Sequence, residues 1–479
     1  MMGTVHLCNR DTLKGTGVAK RIRGTDTSAL TRAPPETRLE AGRALRAKVP
    51  RKSHAAWKAP SNRPDPVQLL MDSDKGRIAK LLPIRYGRMS KSPFTFLRGA
   101  AAIMAWDLAQ TPTTRLRVQA CGDCHIMNFG GFATPERNLI FDINDFDETL
   151  PAPWEWDLKR LTTSIEVAGR SAGSPPGDRE IAVRAAVRSY REHMAAYATM
   201  PALDVWYEHI DLKSLIKKMP EAEYRKQSTK AIAKARKKMM PSHVYPSLAD
   251  NKKAQIKDDP PLIYHEPKQR KPAYRREAAL SFRRYREHLL PAYRVLFDRY
   301  ALRDIALKVV GIGSVGTYCE IALFTDPESA PLFLQLKEAA ASVLERYAKA
   351  SVFATHGERV VVGQRLMQAA SDIFLGWTVG LETGRHFYIR QLRDMKIRMP
   401  LDTKDPTFLA YFADACGWAL ARAHARSGDP AMIAGYMGSN ATFDNAIVKF
   451  AVKYADQTES DYAVLKKAIK AGRIKAQEA

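Results

Sequence analysis

The sequence predicts an α+β fold, and three observations carry that prediction. Apolar residues recur at helical spacing from Pro93 to about residue 110, and again from Trp154 to about residue 240. β-Branched and alternating apolar residues dominate from about residue 301 to residue 340. Helical periodicity then returns over 405–475. A chain of 479 residues is long enough for two or three structural units.

In chain order, PFTFLRGAAAIMAWDLAQ reads as one helix, with Pro93 in its first turn and Pro112 as its stop. RLRVQACGD and NLIFDINDFDE read as two strands of a hairpin-like unit that carry polar residues to one end. WEWDLKRLTTSIEVAGRSAG starts a helix terminated by Gly173, and PPGDREIAV starts the next. IALKVVGIGSVGTYCEIALF and PLFLQLKEA are strands joined by the turn TDPESA. GERVVVGQRLMQAAS is a helix, HFYIRQLRD a strand, and the closing helices break near RSGDP, where Gly428, Asp429 and Pro430 form a stop.

The net charge of +25 would attract polyanions. Residues 1–60 hold 13 Lys/Arg against 4 Asp/Glu, and residues 211–290 hold 21 against 9. The first segment is Pro-rich and weakly periodic, so it reads as basic and largely disordered. The second includes KAIAKARKKMM, a basic helix. Nucleic-acid binding is one explanation; solvated basic faces are the simpler one, because no zinc finger or aromatic-interleaved motif accompanies the charge. No run of about 18 apolar residues is present and the first residues lack a secretory apolar core, so the expectation is a cytoplasmic protein with no membrane partner.

The stretch ACGDCHIMNFGG (residues 120–131) allows two chemistries. Cys121, Cys124 and His125 could ligate metal, but a closed zinc site needs four ligands and no second Cys pair lies at finger spacing. The alternative uses Asp123 and Asn128, five apart, with the acidic run Asp142, Asp145, Asp147 and Glu148. Carboxylates and an amide at strand ends suit a hard cation such as Mg2+.

GDCHIMN resembles the catalytic loop of aminoglycoside and choline kinase-like phosphotransferases, INDFDE their metal-binding segment, and WEWDLKRL their downstream helix start. The resemblance implies that Asp123 orients or deprotonates the acceptor hydroxyl beside His125, that Asn128 and Asp145 hold Mg2+, and that Asp157 is structural. Two positions depart from the pattern. Cys121 replaces a His, and Asp147 replaces a Gly, which either adds a second metal ligand or weakens the motif. Such an enzyme also needs a Gly-rich turn and a strand Lys for ATP. None precedes the catalytic loop; both come after it, as Gly311, Gly313, Ser314 and Gly316 in GIGSVGT, and Lys337 in LFLQLKEA. YCEIALF after the turn is strand-like, whereas a dinucleotide fingerprint must open a helix.

The expectation is therefore a circularly permuted, protein-kinase-like fold. Residues 61–300 would form the catalytic lobe with a basic insertion at 211–290, residues 301–400 the nucleotide lobe, and residues 401–479 helices returning to the catalytic lobe. Lys337 and Asp145, 192 positions apart, should then face one cleft. Glu345 and Glu358 are the candidates to pair with Lys337, Glu338 being adjacent on the strand. Strings including LLPIRYGRMSKSPFTFLRGAAA, FDINDFDETLPAPWEWDLKRL, KVVGIGSVGT and GQRLMQAASDIFLGW resemble the bacterial family DUF2252 over roughly residues 40–475. That resemblance names no substrate. The expected function is an ATP- and Mg2+-dependent phosphotransferase with an unknown small-molecule or protein acceptor, an anionic one suiting a cationic cleft. The competing readings are a nucleotide-binding pseudokinase or scaffold, and a metal-dependent phosphoesterase built on Asp123, His125, Asp142 and Asp145.

Overall fold

Helix forms here where apolar periodicity meets a packing partner, with or without a side-chain cap. The computed structural model describes residues 32–239, 248–250, 253–309, 311–392, 397 and 403–477. The fold is mixed α+β with antiparallel sheets. Among the described residues, no helix is long and apolar enough to cross a membrane.

Residues 1–31 of the segment expected to be disordered lie outside the described residues, but the same segment carries a helix at its far end. α1 (Pro35–Lys48) begins with Pro at its first position and Glu36 in its first turn. It packs on the helix Pro430–Met437, where a Cβ on Gly42 would stand 2.0 Å from the Met432 carbonyl oxygen. Close helix contact at a glycine, invisible to composition, overrides the Pro-rich bias. α2 (Pro66–Ser73) is capped by Asp65, which accepts from the Val67 N–H at 2.7 Å, and α3 (Leu82–Met89) comes next.

The single helix expected over residues 93–110 is two, α4 (Pro93–Gly99) and α5 (Ala101–Ala109), broken at Ala100. The cause is side-chain capture of helix carbonyls. Arg160 donates to the Leu97 carbonyl at 2.9 Å and Arg85 to that of Gly99 at 3.0 Å.

The expected hairpin is likewise divided. β1 (Arg117–Ala120) pairs with β4 (Leu150–Pro153), while β2 (Phe129–Ala133) pairs with β3 (Leu139–Ile143), whose other edge takes β5 (Ile210–Asp211). β2 (FGGFA) and β4 (LPAP) carry Gly and Pro, which are poor strand signals. α6 (Trp154–Ala172) ends at left-handed Gly173, and α7 (Pro176–Thr199) restarts at Pro176. Trp154 is fully buried and stacks on Tyr190 with ring centroids 5.7 Å apart, an anchor whose truncation to Ala costs about 3–5 kcal/mol. The basic segment contains α8 (Ala222–Met239).

β6 (Ala249–Asp250) and β7 (Gln255–Ile256) form a short ladder. The largest sheet has the order β12-β13-β11-β10-β9-β8, all antiparallel, from β8 (Ile263–Tyr264), β9 (Ala301–Lys308), β10 (Cys319–Thr325), β11 (Pro331–Glu338), β12 (Gly376–Val379) and β13 (His386–Gln391). Phe282 and Tyr285 of α9 (Pro272–Glu287), with Phe297, share one apolar cluster with Phe324, Leu334 and Ile389 of this sheet. The end of the basic segment thus covers the sheet, although it was expected with the catalytic region. α10 (His356–Met367) lies between β11 and β12 in sequence and packs on β12, β13 and α11 (Pro406–Ser427). α12 (Pro430–Met437) is capped by Asp429, as the stop signal requires, and α13 (Thr442–Lys470) returns to α6.

Candidate active site

β1 and β3 deliver two loops, 121–128 and 144–149, to one end of the helical body, and the Asn144 N–H donates to the Asn128 carbonyl at 2.8 Å to tie them together. Gly122 has φ +84°, and a Cβ there would meet the Glu148 carbonyl oxygen at 2.4 Å, so only glycine allows this approach. Asp157, in the first turn of α6, accepts from the Cys121 and Gly122 N–H groups at 2.5 and 2.9 Å. It also meets His424 at 3.2 Å, and His424 is backed by Tyr190 at 2.9 Å. Asp157 thereby fixes the loop that carries Asp123.

Asp123 receives the Arg160 guanidinium, with Nε 2.7 Å from Oδ1. Its carbonyl accepts from the Asn128 amide at 2.7 Å, and His125 Nε2 stands 3.9 Å from its Oδ2. Burial pushes His125 down to about 3 against the pull of Asp123, with Arg98 and Arg160 adding to the drop, so the ring is neutral at physiological pH. The two thiols face inward. Both are buried and free, Cys121 donates to the Asp145 carbonyl at 3.3 Å, and burial raises Cys124 well above the ordinary thiol range.

The 144–149 loop is held from the far side of the chain. Buried Arg359 of α10 donates to the Asp147 carbonyl at 2.9 Å and the Thr149 carbonyl at 2.6 Å, and the Ser342 hydroxyl donates to the Glu148 carbonyl at 2.7 Å. Lys337 of β11, 3% exposed, donates to Asp147 Oδ2 at 2.6 Å and lies 3.7 Å from Asp145 Oδ1. Tyr388, its cross-strand partner on β13, donates to Asp147 Oδ1 at 2.6 Å, and Ser314 donates to Asp147 Oδ2 at 3.1 Å. Burial opposes charge on both members of this pair. It is outweighed on Lys337 by Asp145 and Asp147, which hold the ammonium well above its ordinary range, and on Asp147 by Lys337 and Tyr388, which hold the carboxyl below its own.

A cleft of about 400 Å³ is lined by Asp123, His125, Asn128, Asp145 and Asp147 from one side and by Gly311, Gly313 and Ser314 from the other. Lys337 is not among the lining residues and touches the cleft only through Asp147, which lines it. Gly316 sits behind the turn, where a Cβ would lie 3.2 Å from Arg77 Cβ. Among the described residues neither Glu345 nor Glu358 bridges to Lys337. Glu345 instead lies 3.8 Å from Arg359 and 3.7 Å from His356, and Glu338 pairs with Arg385. Asp142 lies outside the cleft in a fully buried pair with Arg422 at 2.8 Å, and it also accepts from the Ala369 N–H at 3.0 Å.

For a divalent cation, Asn128 and Asp145 offer oxygen donors at the cleft, while both oxygens of Asp147 are engaged by Lys337, Ser314 and Tyr388. Among the described residues no group of three or more His, Cys, Asp and Glu side chains could hold a metal ion. Two protein ligands nonetheless fit Mg2+, which keeps waters and phosphate oxygens in its shell. Three residues central to this geometry escape a motif reading. Arg160 lies three positions after Asp157, on the same helical face, and that spacing could have revealed it. Arg359 and Tyr388 come from distant elements with no local signal.

The chain belongs to the family described as uncharacterized protein conserved in bacteria (DUF2252), which matches residues 77–468. No curated protein and no solved structure matches it.

Proposed function

We propose that this protein is an ATP- and Mg2+-dependent phosphotransferase with a circularly permuted, protein-kinase-like arrangement. The observation that carries the reading is the approach of Lys337 Nζ to Asp145 Oδ1, 3.7 Å across 192 positions of sequence, at a cleft that also holds Asp123 and a Gly-rich turn. The turn between β9 and β10, the Lys on β11 and the helix before β12 give further support, because this class places its Gly-rich turn and strand Lys in that order. On this reading β8–β13 with α10 form the nucleotide lobe. The helical body forms the catalytic lobe, joined by the helices beyond residue 405.

Asp123 takes the proton of the acceptor hydroxyl as that oxygen bonds to the γ-phosphorus and the bridging oxygen leaves with ADP. Arg160 orients Asp123. Asn128 and Asp145 hold Mg2+, which supplies charge neutralisation on the phosphates when bound. Lys337 faces the same phosphates and, without nucleotide, is stored against Asp147. His125, neutral, adds no charge beside the Asp123–Arg160 pair. The phosphoesterase reading loses one of its four residues, since Asp142 is committed to Arg422. A nucleotide-binding scaffold is supported by Asp147 standing where the motif has Gly, and would bind ATP without transferring phosphate.

The test is thermal unfolding with ATP and excess Mg2+ for wild type and Asp145→Ala. Ligand at about 100 times its Kd stabilises by roughly 2.7 kcal/mol. A shift in wild type that is lost in the variant is expected. No shift at millimolar ATP would remove the nucleotide from the reading.

A further inference from the structure

In the Gly-rich turn, every carbonyl from Gly311 to Gly316 accepts a hydrogen bond. The Gly311 carbonyl takes Arg88 at 2.6 Å, and those of Gly313 and Val315 both take Nη1 of Arg77 at 2.8 Å. The Ile78 N–H donates to the Gly316 carbonyl at 2.6 Å, and bonds inside the turn occupy the carbonyls of Ile312 and Ser314. The N–H groups of Ile312, Gly313 and Ser314, residues that line the cleft, donate to no described residue. Two apolar side chains fix the same edge. Ile312 packs into the cluster of Val67, Leu70, Tyr86 and Met89, and fully buried Val315 packs against Leu81 and Ile84.

Neighbouring backbone N–H groups without a partner in the fold are what an anion needs from a turn. The carbonyls of such a turn would compete for that space unless something outside held them away. Here the holder is residues 77–88, a stretch remote in sequence from the turn and from the strands that flank it.

We infer that Arg77, assisted by Arg88, is a positioning residue for the phosphate-binding turn, tying its carbonyls back so that its N–H groups are presented to the nucleotide. This inference rests on the proposed nucleotide reading. It assigns α2, α3 and their connection to the nucleotide site, although they precede the catalytic loop. It also makes the turn a braced element rather than a free flap.

The test combines MgATP titration calorimetry with hydrogen exchange of residues 311–317 in the full chain. Arg77→Met should weaken MgATP by about tenfold or more, the worth of one charge-assisted hydrogen bond, and speed exchange of the turn amides. Arg77→Lys, which keeps a donor for the two carbonyls, should recover most of both. Lys75→Ala is the charge control. Lys75 lies at the same cleft but pairs with Asp72 at 2.9 Å, and its loss should change affinity by less than about threefold. Should Arg77→Met not fold, Arg88→Met gives the same direction through the Gly311 carbonyl alone. Wild-type affinity in Arg77→Met, unchanged exchange, or an equal loss in Lys75→Ala would each overturn the inference. If wild type binds no nucleotide but Arg77→Met still loosens the turn, the nucleotide reading falls and the brace stands.

Discussion

Replacing Lys337 by Met probes the cleft most directly. Methionine keeps most of the aliphatic stem, so the change is chiefly the loss of an ammonium 2.6 Å from Asp147 and 3.7 Å from Asp145. Removing one partner of a buried ion pair costs about 3–5 kcal/mol. Two features reduce that here. Tyr388 and Ser314 still donate to the stranded carboxylate, and the Asp147 side chain is 28% exposed. The expected loss is about 2–3 kcal/mol at pH 7, read from denaturant unfolding. Its sign with pH comes from Asp147, which Lys337 holds below the ordinary carboxyl range against the effect of burial. A carboxyl lowered by folding stabilises fully above its unfolded value, about 3.9, and loses that contribution as pH falls through the lower folded value. The difference between wild type and Lys337→Met should therefore shrink as pH drops below about 4. A difference under about 1 kcal/mol at pH 7, or one that grows toward acid, would refute the assignment of Asp147 as the storage partner of Lys337.

Other residues give separate tests. Arg422→Met strands the Asp142 carboxylate, 1% exposed, and should cost about 3–5 kcal/mol in the same assay, part of which Asp142→Asn in the same background restores. Asp142→Asn alone should leave nucleotide-dependent turnover per folded molecule intact, and abolition of turnover would revive the phosphoesterase reading. His54 is fully buried against the Tyr436 hydroxyl at 2.7 Å, and burial, then Lys159, pushes it down to about 2. The unfolded chain binds this proton below about pH 6.5 while the native protein does not, so native stability falls with acid by up to about 1.4 kcal/mol per pH unit from this group. His54→Gln should remove that slope between about pH 4.5 and 6.5, and an unaltered slope would exclude His54 as its source.

Much of the candidate site was legible because its polar groups lie close together in sequence. Asp123 and Asn128 lie on one short loop and Asp145 and Asp147 on another. The Gly-rich turn declared itself through the strand directly after it. The breaks came where distant side chains took over backbone groups. Arg160 and Arg85 draw carbonyls out of the helix expected over 93–110, and Gly42 lets a Pro-rich segment pack as α1.

By itself the sequence determined the α+β class, the family, the acidic and Gly-rich segments and the terminator at Gly173, all of which depend on spacing, capping and turn chemistry within a few residues. Only the tertiary structure decided which partners those segments meet: Asp147 rather than a helix Glu on Lys337, Arg422 on Asp142, Arg359 under the 144–149 loop, and Arg77 behind the Gly-rich turn. The physical reason is that a buried charge must be matched by whatever group the fold carries to within about 3 Å of it, and that choice is made by packing between elements far apart in the chain.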